Sequence, residues 1–105
     1  MSYNMIYMTV GTKEEAINIS NTLVQEKLVA CANIIPGMIS VYRWKGTIET
    51  AEEYSVLLKT RSGLVQNVIE KIKLLHSYEC PCILAIPIEN GNKKFLEWIS
   101  QETQI

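Results

Sequence analysis

Three observations predict that this chain of 105 residues is a single α+β domain of the ferredoxin-like kind, β-α-β-β-α-β with a further helix at its end. Extended runs rich in Ile, Val, Tyr and Thr alternate with stretches whose apolar residues recur at helical spacing. Two of those runs, within Val29 to Thr60, flank a short Lys45-Gly46 break and read as a β-hairpin, since Gly supplies the positive φ that a hairpin turn needs. Each arm holds about 14 residues and spans about 45 Å at ~3.3 Å per residue, against a diameter of about 33 Å for a compact chain of this size. The hairpin therefore overreaches its own domain. A two-stranded ribbon is marginally stable in water, and its outer half carries Met38, Ile39, Val41, Tyr42, Trp44 and Ile48, so a second copy of the chain is expected to pack there.

The elements follow in order. Tyr3 to Val10 has apolar residues on both alternate sets, which predicts a strand buried on both faces and gives a second reason to expect a neighbouring subunit. Thr12-Lys13-Glu14-Glu15 fits a capping box, with Thr12 accepting from the Glu15 amide and the Glu15 carboxylate reaching back to Thr12. The helix it opens should bury Ala16, Ile19, Ser20 and Leu23 and end near Lys27. Pro36-Gly37 interrupts the first hairpin arm and predicts a bulge. Whether Lys45-Gly46 is a two-residue turn or part of a G1 bulge sets the register, and a slip of one residue reverses every face. Ser62 is positioned to cap a second helix carrying Leu64, Val68, Ile69, Ile72 and Leu75 and ending at His76 to Tyr78. Cys82 to Ile88 is a short apolar strand whose Pro87 places it at a sheet edge or a strand end. After the Glu89-Asn90-Gly91 turn, Asn92 caps a last helix through Phe95, Leu96 and Ile99.

Composition narrows the function. Ten Lys plus Arg against eleven Asp plus Glu give a net charge of -1 with no basic block, which argues against nucleic acid and against an anionic membrane surface as partners. The amino terminus lacks the pattern of a signal peptide and no apolar run is long enough for a membrane span, so a cytoplasmic location is expected. Cys31, Cys80 and Cys82 are odd in number and read as reduced thiols, with Cys31 in the core. No nucleophile elbow, P-loop, zincin motif or nucleophile-base-orienter set is present, so no enzyme activity is expected.

The remaining chemistry lies around the second helix. His76, the single histidine, is placed first as a helix-end residue, where an imidazolium suits the macrodipole. With Cys80 and Cys82 it also makes a candidate three-ligand metal set, and thiolate with imidazole selects copper or zinc. The plainer account of Cys80 and Cys82 is small buried residues opening the last strand. Lys59 and Arg61 precede a helix N-terminus and are candidates for anion capture, with solvated charge at a strand end as the plainer account. Tyr42 and Trp44 suit either ligand stacking or a subunit interface.

LVACANIIPG, SVYRWKGTIE, LLKTR, HSYECP, ILAIPIENGN and FLEWI, taken together, resemble the CutA family, named for divalent cation tolerance, over nearly the whole chain. The resemblance implies a ferredoxin-like fold assembled as a trimer through its long hairpins, and a link to copper tolerance. The family wording at the end of the second helix, His-Pro-Tyr-Glu-X-Pro-Glu, is matched at His76, Tyr78, Glu79 and Pro81, with Ser77 and Cys82 as departures. A metal set of that His, the closing Glu and a first-strand Cys, proposed for some members, falls here on His76, Cys82 and Met8. The expected function is a non-enzymatic homotrimer that binds copper or another divalent cation and contributes to metal tolerance. The alternative is a trimeric sensor or scaffold akin to PII proteins, whose inter-subunit cleft, with Lys59, Arg61, His76 and Tyr78 as candidates, holds a small anion and whose surface meets a protein partner.

Overall fold

The structure, a computed structural model, describes residues 1–104. Its elements are β1 (Tyr3–Val10), α1 (Lys13–Gln25), β2 (Cys31–Trp44), β3 (Thr47–Arg61), α2 (Val65–Leu75), β4 (Ile83–Ile88) and α3 (Lys93–Glu102). The strands form one sheet in the order β2-β3-β1-β4, with every pairing antiparallel. This is the predicted βαββαβ arrangement with its long hairpin and terminal helix. Pro87 sits on β4, which pairs with β1 alone and is an edge strand, so its missing N–H breaks no ladder.

Burial follows strand parity. Ile6, Met8 and Val10 on β1 join Val56 and Leu58 on β3 in the core, under Ala16, Ile19 and Leu23 of α1 and Val68 and Ile72 of α2. Met5 and Tyr7, on the other set of β1, look to the opposite face and are half-buried. Cys31 pairs with Lys59, which pairs with Met5, so Cys31 lies on that second face, half-buried and outside the core expected for it. The helix α3 crosses one end of this face. Tyr3, on the same side of β1 as Tyr7, bonds Ser100 at 2.6 Å, and the Gln104 amide donates to the Lys27 carbonyl at 2.8 Å.

Two local expectations meet a different outcome. Thr12 accepts from the Glu15 amide at 3.2 Å, but the Glu15 carboxylate takes the amide and hydroxyl of Ser77, at 2.8 and 3.1 Å, instead of closing the box on Thr12. A distant pair of donors offers two hydrogen bonds where the box offers one. Ser62 does not cap α2. It opens a single 3₁₀ turn over Ser62–Leu64, its hydroxyl donates to the Asn4 side chain, and α2 starts after Leu64 with no side-chain cap.

The hairpin turn resolves the register. Trp44 pairs with Thr47, and both intervening residues have positive φ, 49° at Lys45 and 84° at Gly46, as a type I′ turn requires. Pro36 and Gly37 lie between the pairs Ile35–Ser55 and Met38–Glu53, opposite Tyr54 alone, which is the predicted bulge, with Gly37 at φ 78°. Beyond it the ribbon leaves the helices behind. The molecule extends 44 Å along its longest axis with a radius of gyration of 14.2 Å, above the ~13 Å of a compact chain of this length.

Candidate functional site

The extra residue at the bulge decides what the ribbon presents. Before it, β2 turns Asn33 and Ile35 to the side away from the helices; after it, Met38, Ser40, Tyr42 and Trp44 take that side, opposite Glu53, Ala51, Glu49 and Thr47. Tyr7 confirms the face by donating from its hydroxyl to Met38 Sδ at 3.3 Å. The loop after α2 then folds over the root of the ribbon. Its Tyr78 hydroxyl donates to Glu53 Oε2 at 2.7 Å, and together they bound a cleft of about 320 Å³ that Tyr7, Ser40, Tyr42 and Cys82 also line. A second hollow of about 160 Å³ adjoins it, between Tyr42, Trp44, Tyr78, Glu79 and Cys80. Gly11 makes room for the ring, since a Cβ there would stand 3.0 Å from the Tyr78 hydroxyl.

His76 holds this loop in place. Its backbone N–H caps Ile72 at 2.8 Å, its Nε2–H donates to the Thr9 carbonyl at 2.8 Å, and its Nδ1 accepts from the Tyr78 amide at 3.1 Å. A carbonyl only accepts and an amide only donates, so these partners fix the Nε2–H tautomer. The side chain is buried, and its ring packs 4.7 Å from that of Tyr78. It serves the helix end as a bridge between α2 and β1, and not as an imidazolium over the last carbonyls.

The expected ligand set is only partly gathered. Cys80 and Cys82 open on the same cleft, but His76 has both ring nitrogens engaged, and no three His, Cys, Asp or Glu side chains cluster as metal ligands among the described residues. The set implied by the family resemblance is divided by the sheet: Met8 is in the core beneath the helices, while Cys82 is on the cleft side. Burial, then the Glu53 carboxylate and Cys80, push the Cys82 thiol above its ordinary pKa, with a hydrogen bond to Thr9 working the other way. Burial raises the Tyr78 phenol strongly, helped by its hydrogen bond to Glu53 and by that carboxylate's charge. Tyr7 is raised by burial, Cys82 and Glu53. The Tyr7 and Tyr78 phenols and the Cys82 thiol therefore keep their protons at neutral pH.

Lys59 and Arg61 lie elsewhere. Lys59 is six positions along β3 from Glu53, about 20 Å at the rise of a strand, and donates to the Asn33 side chain. Arg61 donates from Nε to Thr103 at 2.9 Å and ties the end of α3 to the sheet. Within one chain neither reaches Tyr78. The six residues proposed for an interface divide between two faces: Met38, Tyr42 and Trp44 on the cleft side, Ile39, Val41 and Ile48 on the other, with the latter three 66%, 68% and 68% exposed. Sequence reasoning missed Glu53 altogether. Its signal was its parity with Ser55 and Leu57 on β3, legible once the register is known.

The chain matches the family model described as CutA1 divalent ion tolerance protein over residues 4–102. Among curated proteins, the divalent-cation tolerance protein CutA of Archaeoglobus fulgidus is 45% identical over 102 residues, 97% of this chain and 99% of that one. The chloroplastic CutA 1 of rice is 40% identical over 100 residues, 95% of this chain but 56% of the relative, so the chain spans about half the length of that protein. Among solved structures, CutA1 from rice superposes with a TM-score of 0.96 at 38% identity, covering 99% of this chain and 95% of that one. The Archaeoglobus fulgidus protein, described there as periplasmic, gives 0.94 at 45% identity, covering 97% and 99%. No helix among the described residues is long and apolar enough to cross a membrane. With sequence, family model and fold in agreement along nearly its whole length, the chain belongs to the CutA1 divalent ion tolerance family.

Proposed function

We infer that this chain is a non-enzymatic, cytoplasmic divalent-cation tolerance protein, assembled as a homotrimer through its hairpins and binding copper or another soft divalent cation weakly at Cys80 and Cys82. The observation that carries the reading is that both thiols open on one cleft whose wall is the hairpin itself. Two thiols select soft ions over calcium or magnesium. Two ligands from one chain leave a coordination sphere incomplete, and a second copy seated on the exposed ribbon supplies further donors. Weak binding follows from the raised Cys82 thiol, because a metal must displace its proton. The non-catalytic part is supported by the same chemistry. His76 has no ring nitrogen free for proton transfer, and the protonated thiol and phenols are poor nucleophiles.

Native mass spectrometry of reduced, chelator-stripped protein before and after exposure to copper and to zinc tests this. The expected result is a trimer that gains a fixed number of ions per chain and loses them in Cys80→Ser/Cys82→Ser. A trimer that gains none, or a monomer, overturns the reading.

A further inference from the structure

The loop over residues 89–92 leaves β4 for α3 at the end of the sheet away from the cleft. Ile88 pairs with Tyr3 and Tyr3 with Arg61, eight positions along β3 from Glu53, about 26 Å at the rise of a strand. Asn90 and Gly91 are exposed there and belong to no helix or strand. Among the described residues no hydrogen bond holds the Asn90 side chain or the Gly91 N–H, whereas Asn92 accepts from the Lys94 amide at 3.0 Å as the cap of α3. The other asparagines are held in regular elements: Asn4 in β1, Asn33 in β2, Asn18 and Asn21 in α1, and Asn67 in α2. Asn90 alone precedes glycine. An asparagine amide is attacked by the following residue's nitrogen only if the backbone can bring that nitrogen over the side-chain carbonyl, a motion that helices and strands forbid and that glycine in an exposed loop allows.

We propose that Asn90-Gly91 is a site of spontaneous deamidation, an ageing modification at the foot of α3. The deprotonated Gly91 nitrogen attacks Asn90 Cγ, a C–N bond forms, and the side-chain nitrogen leaves as ammonia, giving a five-membered succinimide. Water then opens the ring at either carbonyl. Opening at Cγ leaves aspartate at position 90; opening at the main-chain carbonyl leaves isoaspartate, whose backbone runs on through the side-chain methylene. The balance is one water consumed and one ammonia released, with no oxidant or cofactor. Either product turns a neutral amide into a carboxylate and makes the formal net charge of -1 one unit more negative. The charge alone suits its place before the N-terminus of α3. The inserted methylene does not. The connection from Ile88, fixed by its pairing with Tyr3, to the cap at Asn92 is short, and α3 is tied back to the same sheet by Tyr3–Ser100 at 2.6 Å and Arg61–Thr103 at 2.9 Å. An extra main-chain atom puts the cap out of line with that seat and loosens the first turn of α3, where Leu96 lies against Gly91.

The test is to age the reduced full chain in warm, mildly alkaline buffer and to follow each asparagine by peptide mass spectrometry, with fragmentation that separates isoaspartate from aspartate. Asn90 should gain the mass of an amide turned acid, as both products and faster at higher pH, while Asn33 and Asn67 stay amides. Gly91→Ala should slow the conversion by at least about tenfold, because the added methyl restricts the backbone. That variant keeps the fold, since its Cβ would stand 3.4 Å from Leu96, in ordinary contact, and Gly91 has no positive φ. Hydrogen exchange over α3 should be faster in the isoaspartate form, separated by ion exchange, than in Asn90→Asp, which carries the charge without the extra atom. An Asn90 that stays an amide, that converts no faster than Asn33 and Asn67, or that converts equally fast in Gly91→Ala overturns the proposal. So does an Asn90 that converts in urea but not in the folded protein, because a neighbouring copy would then shield the loop. Equal exchange in the isoaspartate form and in Asn90→Asp overturns the loosening of α3.

Discussion

The ribbon beyond the bulge can be tested by changing its outer face without touching the fold. Ile39, Val41 and Ile48 share one side of the hairpin, past the reach of α1 and α2, and about two-thirds of each is exposed (66%, 68% and 68%). Burying a whole Val or Ile side chain is worth about 1.5–3 kcal/mol, so covering the exposed two-thirds of each contributes about 1–2 kcal/mol, and the three together about 3–6 kcal/mol per chain. Threonine at all three positions keeps the branched strand-forming shape and gives up most of that gain. Sedimentation velocity over a dilution series should show the parent as an oligomer and the triple variant as a monomer at the same micromolar concentrations. Because these side chains bury little in their own chain, the unfolding free energy of the separated subunit should change by no more than about 0.5 kcal/mol for each substitution. A triple variant that sediments like the parent down to nanomolar concentration would refute the argument, and so would a parent that is itself monomeric.

Three further outcomes are expected. Gly11→Ala places a Cβ 3.0 Å from the Tyr78 hydroxyl and pushes it off Glu53; the most resistant tyrosine in an ultraviolet pH titration should then ionise at lower pH, because the bond that favours the protonated phenol is lost. Thr60→Val removes the buried hydroxyl that donates to the Leu28 carbonyl at 2.6 Å, and denaturant unfolding should show a loss of about 1–3 kcal/mol with an unchanged slope. Alkylation mapped by mass spectrometry should reach exposed Cys80 before Cys82 at neutral pH. The Cys82 rate should go on rising at higher pH, where its thiol finally ionises, and Glu53→Gln should speed it by removing a cause of its raised pKa.

Most of the fold was legible because its signals are local. Gly46 marks the hairpin break, although the choice of a type I′ turn over a G1 bulge waits on the positive φ of Lys45; Pro36-Gly37 announces the bulge; alternating apolar sets mark β1. The failures all involve partners distant in the chain. Glu15 turns to Ser77, 62 positions away, and a capping box read from four adjacent residues has no means of foreseeing that competitor. Ser62 is diverted to Asn4, 58 positions away, and α2 starts one turn later. The site residues divide in the same way. His76 and Tyr78 were found through the wording around them, whereas Glu53 looks in sequence like any surface charge in Thr50-Ala51-Glu52-Glu53. Its neighbour Glu52, on the opposite face, is exposed.

The departure at Ser77 has a physical counterpart that the family wording alone does not reveal. Proline at that position has no N–H and no hydroxyl, so it would give Glu15 neither of the two bonds that now join the start of α1 to the loop after α2. His76 is extended, at φ -80° and ψ 140°, which is the conformation a following proline imposes. Serine thus holds, by hydrogen bonds across the fold, the extended geometry at His76 that a proline at position 77 would impose by stiffening the chain. That anchoring helps to hold Tyr78 against Glu53. The bulge completes the arrangement from the other side: without its extra residue, strand alternation would turn Ile39 and Val41 into the cleft and send Ser40 and Tyr42 outward. The cleft's polarity is therefore set by Pro36-Gly37, and the shape of its lip by the loop that His76 and Ser77 anchor.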